Sequence, residues 1–305
     1  MFCWSAPRCG EKEKVKMKRF DYLVPCNLIE ALEMMSDRPG AIPLAGGTDL
    51  LVQMKEGHRS VQTLLSLKRV PEVHQVALNG ALTFGSAVTV GQIATDQQIQ
   101  QDYAALAMGA GLIGSVQIRN MATVGGNLCN AAPSADTAPP LLVLGAQAVI
   151  ASVHGERTIP LEAFFLGPAQ TALQPGELLK AIVVPKPREG SASFYIRHTP
   201  RARMDIAIVG VAAAITLDQE GRVADARLAL GAVAPVPMRA TQAEALLRGQ
   251  ACTDELLRQA GAVAAQEAKP IDDLRASAEY RRHLVNVLTQ RALRSAWVRA
   301  KDRRG

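Results

Sequence analysis

The sequence predicts an α+β fold, with strands and helices in runs and not in strict alternation. Three observations carry that expectation. The chain has 305 residues, 48% hydrophobic and 20% charged, enough apolar surface for a substantial core and room for two domains. Two glycine-rich segments, Ala45 to Asp49 and Thr123 to Asp136, interrupt the first part of the chain. Further on, three strand patterns in succession lead into two amphipathic helical patterns.

In chain order, Asn27 with Glu30 three residues later is a capping-box signal, and Leu28, Ala31, Leu32 and Met35 share one helical face. A helix to about Arg38 follows, stopped by Pro39-Gly40. Ala41 to Leu44 reads as a short buried strand entering the first glycine turn, and Thr63 to Leu67 as another strand. Val76-Ala77-Leu78 and Leu82-Thr83-Phe84 flank Asn79-Gly80, a hairpin signal. Thr89 and Gln92 cap a helix expected to reach about Gln101. Residues 106–114 form an alanine- and glycine-rich helix that lets other backbone approach closely. After the second glycine segment come a short helix over 139–144 and strands over 148–153 and 179–185, with His154-Gly155-Glu156 as a turn. A boundary falls near Lys186 to Ser193, where Pro, Gly and Ser cluster. Strands over 194–198, 206–217 and 224–232 and helices over 254–268 and 279–300 complete the chain.

The formal charge of +6 suggests a nucleic-acid partner until it is located. Residues 1–20 carry six Lys/Arg against two Glu, and residues 281–305 carry eight Lys/Arg against one Asp. The body between them is therefore net acidic. With no basic stripe carrying base-stacking aromatics, nucleic acid is not an expected partner. Five scattered cysteines (Cys3, Cys9, Cys26, Cys129, Cys252) form no zinc or iron–sulfur spacing, which suits a reducing, cytoplasmic location. The longest apolar stretch, Ile206 to Leu217, is too short for a membrane span. Residues 1–16 read as a disordered leader, with Met17 as a natural start. His58, His74, His154 and His283 are scattered and read as surface or structural.

The glycine turns are the chemically informative segments. Successive bare N–H groups at Ala45-Gly46-Gly47-Thr48-Asp49 suit a diphosphate, and glycines there leave space for a ligand. The second segment offers small side chains, the hydroxyls of Thr123 and Ser134, the amides of Asn127 and Asn130, and one carboxylate, Asp136. Such a surface accommodates an extended ligand with sugar hydroxyls. Neither is a Rossmann or Walker fingerprint.

These two turns, with Met204-Asp205-Ile206-Ala207 and with Ile271-Asp272-Asp273-Leu274-Arg275 ahead of Ser277-Ala278-Glu279-Tyr280-Arg281-Arg282, resemble the medium subunit of xanthine dehydrogenase and aerobic carbon monoxide dehydrogenase. The resemblance runs from about Met17 to Ala300. It implies a PCMH-type two-subdomain FAD-binding region, expected over residues 17–190 and split near 72. A carbon monoxide dehydrogenase flavoprotein-like domain over 191–305, a three-stranded antiparallel sheet with helices, would follow. It also implies that Leu44, Ala45, Gly46, Gly47, Thr48, Asp49 and Leu50 cradle the diphosphate and adenosine side of FAD. Thr123, Gly125, Gly126 and Asn127 would hold the other face, Asp136 the ribityl chain or ring edge, and Ile113 and Leu179 the flavin or adenine. Arg197 falls where some relatives place a lysine near the isoalloxazine, and its positive charge would favour reduced flavin. Tyr195 or His198 could flank the ring. Cys129, followed directly by Asn130-Ala131-Ala132-Pro133 without a cysteine cluster, is expected to be a small buried residue and not an iron ligand, and no metal is expected in this chain.

The implied activity is that of an oxidoreductase subunit without a substrate-activating acid, base or nucleophile. A large partner subunit with molybdopterin would hydroxylate substrate, a small partner with 2Fe–2S clusters would conduct electrons, and FAD here would pass them to an external acceptor. A stand-alone flavin oxidase and a flavin-free scaffold are the alternatives. The first is disfavoured because neither glycine turn contains a histidine for covalent attachment, the second because both turns and Asp136 are present.

Overall fold

The computed structural model describes residues 17–201 and 204–304; the expected leader over 1–16 lies outside them. β1 (Asp21–Leu23) is followed by α1 (Leu28–Asp37), β2 (Ile42–Leu44), α2 (Leu50–Lys55) and β3 (Thr63–Ser66). The three strands form a parallel sheet in the order β1-β3-β2. The Asn27 side chain accepts from the Glu30 N–H at 2.8 Å, while the Glu30 carboxylate takes the Cys26 N–H at 2.6 Å. Both halves of the expected cap exist, with the return bond one residue earlier than in the usual capping box.

β4 (Val76–Leu78), β5 (Leu82–Gly85), α3 (Val90–Thr95), α4 (Gln97–Asp102), α5 (Ala104–Gly111), α6 (Val116–Arg119), α7 (Val124–Cys129) and α8 (Ala138–Val143) come next. The helix expected from Thr89 to about Gln101 breaks in two. Asp96 is extended (φ −69°, ψ 122°), and its side chain accepts from the Ile99 N–H, so it ends one helix and caps the next. The segment expected as a second glycine turn also differs, because residues 124–129 are helical. Thr123 caps them by accepting the Gly126 N–H at 3.0 Å.

The chain continues with β6 (Gln147–Ser152), β7 (Gly155–Pro160), β8 (Phe165–Gly167), β9 (Gln170–Thr171) and β10 (Leu178–Val184). A five-stranded antiparallel sheet results, in the order β4-β5-β10-β6-β7. β7 was not expected from the sequence: Gly-Glu-Arg-Thr-Ile-Pro is an edge strand without a buried face, so it carries no apolar alternation.

The last part consists of β11 (Ser191–His198), β12 (Val209–Leu217), β13 (Val223–Gly231), β14 (Met238–Arg239), α9 (Thr241–Leu247), α10 (Asp254–Glu267) and α11 (Ala278–Asp302). The expected three antiparallel strands are present, and the two-residue β14 adds a short edge beside β13. One core packs this sheet against α9, α10 and α11. A second core lies under the five-stranded sheet and takes in Tyr195, Ala212 and Ala229 from the opposite face of the C-terminal sheet. The two halves of the chain therefore share buried side chains, including a Ser193 hydroxyl that accepts the Ala105 N–H at 3.2 Å.

Candidate functional site

A cavity of about 710 Å³ opens between the parallel sheet, the α7 segment and the end of β11. Its size falls within the range of cofactor pockets, roughly 300–1,000 Å³. The residues that the resemblance assigns to FAD line it: Leu44 to Leu50, Ile113, Thr123, Gly125, Gly126, Asn127, Asp136, Leu179 and Arg197. Met204, Asp205 and Ile206 join them from the C-terminal half.

The two glycine segments do different work. In the first, the N–H groups of Gly46, Gly47, Thr48 and Asp49 donate to no acceptor among the described residues. Gly47 has φ +72°, a conformation that glycine adopts without strain. In the second, the Gly125 N–H is taken by the Ser86 carbonyl at 3.0 Å and that of Gly126 by Thr123 Oγ1. Only the first segment is a donor cradle; the second is a wall. The absence of side chains has a further cause, because a Cβ on Gly46 would lie 2.0 Å from the Met121 carbonyl oxygen and one on Gly125 2.5 Å from Ser86. These glycines admit neighbouring backbone before they admit a ligand.

Asp136 reaches the cavity because Gly109 of α5 lets its backbone in; a Cβ at 109 would sit 2.3 Å from the Asp136 carbonyl oxygen. Its carboxylate, 7% exposed, accepts from the Tyr195 hydroxyl at 2.7 Å and from the Arg197 guanidinium. Burial pushes this carboxyl upward, against the lowering pull of Arg197 and Tyr195. The positive charge expected of Arg197 is thus paired within the protein, and both Asp136 oxygens already have protein donors. Neither rules out a ligand contact, since a carboxylate oxygen has two lone pairs and a guanidinium five N–H groups. Tyr195, whose hydroxyl burial pushes well up, is held under the cavity wall and not beside it. His198 sits edge-on to Tyr280 and is not part of the cavity lining.

Several lining residues carried no sequence signal. Gln53 of α2 and Arg59 beyond it extend the rim, with the Gln53 amide bonded to Asn130 Oδ1 at 3.3 Å. Ala169, Thr171, Leu173 and Glu177 close another side. Arg157 anchors that wall, with Nε and a terminal nitrogen on the Glu177 carboxylate at 2.7 and 2.6 Å and a bond to the Ala172 carbonyl at 2.8 Å. The same pairing holds the Glu177 carboxyl below its ordinary range. Such partners come from far along the chain, so no local pattern announces them.

Cys129 departs from expectation. It is exposed on the cavity and not enclosed in a core, yet lies deep enough among protein atoms that its thiol is pushed up to about 12. A thiol so raised is protonated and a poor nucleophile or ligand. Among the described residues no group of three His, Cys, Asp or Glu side chains is placed to hold a metal ion.

An FAD molecule fits these residues. The donor chemistry at 46–49 suits a diphosphate, the Ser86 hydroxyl is buried at the cavity without a partner, and the remaining wall combines apolar side chains and amides suited to sugar hydroxyls with the charged groups of Arg59, Asp136, Glu177, Arg197 and Asp205. Fold and cavity together define a cofactor-binding protein assembled from two structural parts. Comparison with known proteins identifies it further. Residues 18–187 match the family described as FAD binding domain in molybdopterin dehydrogenase, and residues 194–296 match the carbon monoxide dehydrogenase flavoprotein C-terminal domain. The chain belongs to the FAD-binding subunit family of the molybdopterin dehydrogenases. It is 35% identical over 272 residues to a putative xanthine dehydrogenase FAD-binding subunit of Escherichia coli, covering 88% of this chain and 93% of that one. With the carbon monoxide dehydrogenase medium chain of Hydrogenophaga pseudoflava it shares 31% identity over 284 residues, 92% and 98% of the two chains. The solved structure of carbon monoxide dehydrogenase from the same organism superposes with a TM-score of 0.89 over 93% of this chain and 99% of that one. No helix among the described residues is long and apolar enough to cross a membrane.

Proposed function

We propose that this chain is the electron-transfer subunit of a molybdenum hydroxylase complex, taking electrons from 2Fe–2S clusters on a small partner subunit and passing them to an external acceptor. Substrate oxidation falls to a large, molybdopterin-binding partner, and the assembly is cytoplasmic. The chain divides as 17–190, with two subdomains meeting near 72, and 191–305. The observation that carries this reading is the donor cradle at Gly46 to Asp49 facing Asp136 and Arg197 across one cavity.

Bound in that cavity, FAD supplies the exchange between paired and single electrons; the protein supplies position and electrostatics. Leu44 to Leu50 receive the diphosphate and adenosine side, with the free N–H groups of Gly46 to Asp49 toward the diphosphate. Thr123, Gly125, Gly126 and Asn127 form the facing wall, with the Asn127 amide oriented by the Thr137 hydroxyl at 2.6 Å. Asp136 and Arg197 set the charge beside the flavin half, and Ile113 and Leu179 exclude water from it. No residue of this set is a substrate-activating acid or base.

The test is purification of the native chain, its visible spectrum, and identification of the released chromophore. Flavin bands with releasable FAD, and iron and molybdenum co-purifying on two further chains, are expected. A colourless chain that refuses added FAD with its partners present overturns the proposal.

A further inference from the structure

We propose that Tyr195 is a positioning residue for the flavin site: its hydroxyl holds the Asp136 carboxylate in its ion pair with Arg197 and so fixes the Arg197 guanidinium against the cavity. The inference rests on the FAD reading of that cavity.

The geometry is unusual for a strand residue. Tyr195 is 4% exposed and reaches across from β11 to the loop ahead of α8. Its hydroxyl has room because residue 210, paired with Arg197 on β12, is a glycine; a Cβ there would lie 2.5 Å from the Tyr195 oxygen. The Arg197 side chain, 5% exposed and two residues along the same strand, approaches the other carboxylate oxygen. Asp136 is therefore gripped at both oxygens by one strand, which a register shift of a single residue would undo. Arg197 borders the cavity and Tyr195 does not, so the hydroxyl acts on a ligand only through Asp136 and Arg197.

The consequence is electrostatic. While Asp136 is ionised, Arg197 is compensated; once Asp136 is protonated, one positive charge is left facing the flavin. A donor to a carboxylate oxygen favours the ionised form. Removing the Tyr195 hydroxyl therefore favours protonated Asp136 and a more positive cavity, which stabilises reduced flavin. Few other charges compete. α5 and α8 beside Asp136 carry no titratable side chain, α7 contributes only Cys129, and the remaining cavity charges are Asp49, Glu177, Asp205 and Arg59.

The experiment measures the flavin midpoint potential across the pH range in which the protein stays folded. Wild type, Tyr195→Phe, Asp136→Asn and the double variant are compared as FAD-loaded proteins. Tyr195→Phe is expected to raise the potential, with the difference from wild type growing as pH falls. Asp136→Asn raises it wherever wild-type Asp136 is ionised, its difference from wild type closing as Asp136 protonates, and adding Tyr195→Phe to Asp136→Asn changes nothing further. Parallel wild-type and Tyr195→Phe profiles, or additive effects in the double variant, overturn the proposal. A second readout does not need the flavin. Infrared titration of the carboxyl C=O stretch in the FAD-free chain, with Asp136→Asn as the reference, should show Asp136 protonating at higher pH in Tyr195→Phe. An unmoved Asp136 band overturns the proposal even if the cofactor assignment fails, and a moved band in a chain that refuses FAD rejects that assignment alone.

Discussion

A methyl group at position 46 would meet the Met121 carbonyl oxygen at 2.0 Å, a contact that no rotamer can relieve. The donor cradle and the segment leading to α7 are thus in direct backbone contact, and the cavity wall is as thin as the chain allows. Gly46→Ala is expected to force the two apart, costing about 1–3 kcal/mol as an overpacking change. The readouts are thermal midpoint and FAD content, and both should fall. A stable Gly46→Ala protein with full FAD content contradicts the packing described. At the same scale, Asp136 is typical of a functional carboxylate in being buried, paired and raised by desolvation. Arg197 cannot be treated as a free cation beside the flavin, because its charge belongs to a pair.

Among the elements, α7 is short and rich in glycine, and its stability depends on its cap. Thr123→Ala removes the bond that the Gly126 N–H donates to Thr123 Oγ1, at an expected cost of about 0.5–2 kcal/mol. Because the same turn lines the cavity, FAD affinity should drop with it; equal affinity in a destabilised variant would separate the two roles. The loop ahead of α11 is held differently. The buried Arg281 guanidinium donates to the Ile208 and Ala232 carbonyls and pairs with Asp273 at 2.8 Å. Against desolvation, which raises it, the N–H groups of Arg275 and Ala276 and the Arg281 guanidinium hold the Asp273 carboxyl at about 2, below its ordinary 3.8. A depressed carboxyl contributes stability that is complete above its unfolded value and lost as pH falls toward the folded one. Asp273→Asn should therefore lower stability near neutral pH and flatten its fall between about pH 4 and 2. Acid unfolding followed by circular dichroism is the check, and parallel curves for the two proteins would count against this role.

For the whole molecule, the shared core is decisive. Tyr195, Ala212 and Ala229 pack into the cluster beneath the five-stranded sheet, so neither half buries its apolar surface alone. A single cooperative unfolding transition is expected by calorimetry, with two separated transitions as the contrary result. On the reading proposed above, FAD held in this cavity should raise that transition as a whole. At a hundredfold excess over Kd the linkage is about 2.7 kcal/mol. A shift with FAD and a smaller one with FMN would show that the adenosine side of the cavity, from Leu44 to the Gln53 and Arg59 rim, contributes binding.

The sequence alone determined the class of fold, most elements and two of the segments that line the cavity. Apolar periodicity and capping residues are local signals: Asn27 and Glu30 marked α1, Thr89 and Gln92 marked α3, and the glycine runs marked the site. Other features lay beyond local reading for equally physical reasons. β7 lacks a buried face and so shows no pattern, while Asp96 ended a helix by capping its own successor. Two glycine runs of similar appearance became a donor cradle and a helical wall because Ser86 and Thr123 occupy the N–H groups of the second. The grip of Tyr195 and Arg197 on Asp136 spans 59 and 61 residues of chain. Contacts of that separation exist only once β11 lies beside the loop from α7 to α8. Tertiary structure, not residue pattern, thereby decided how much charge Arg197 presents to the cavity.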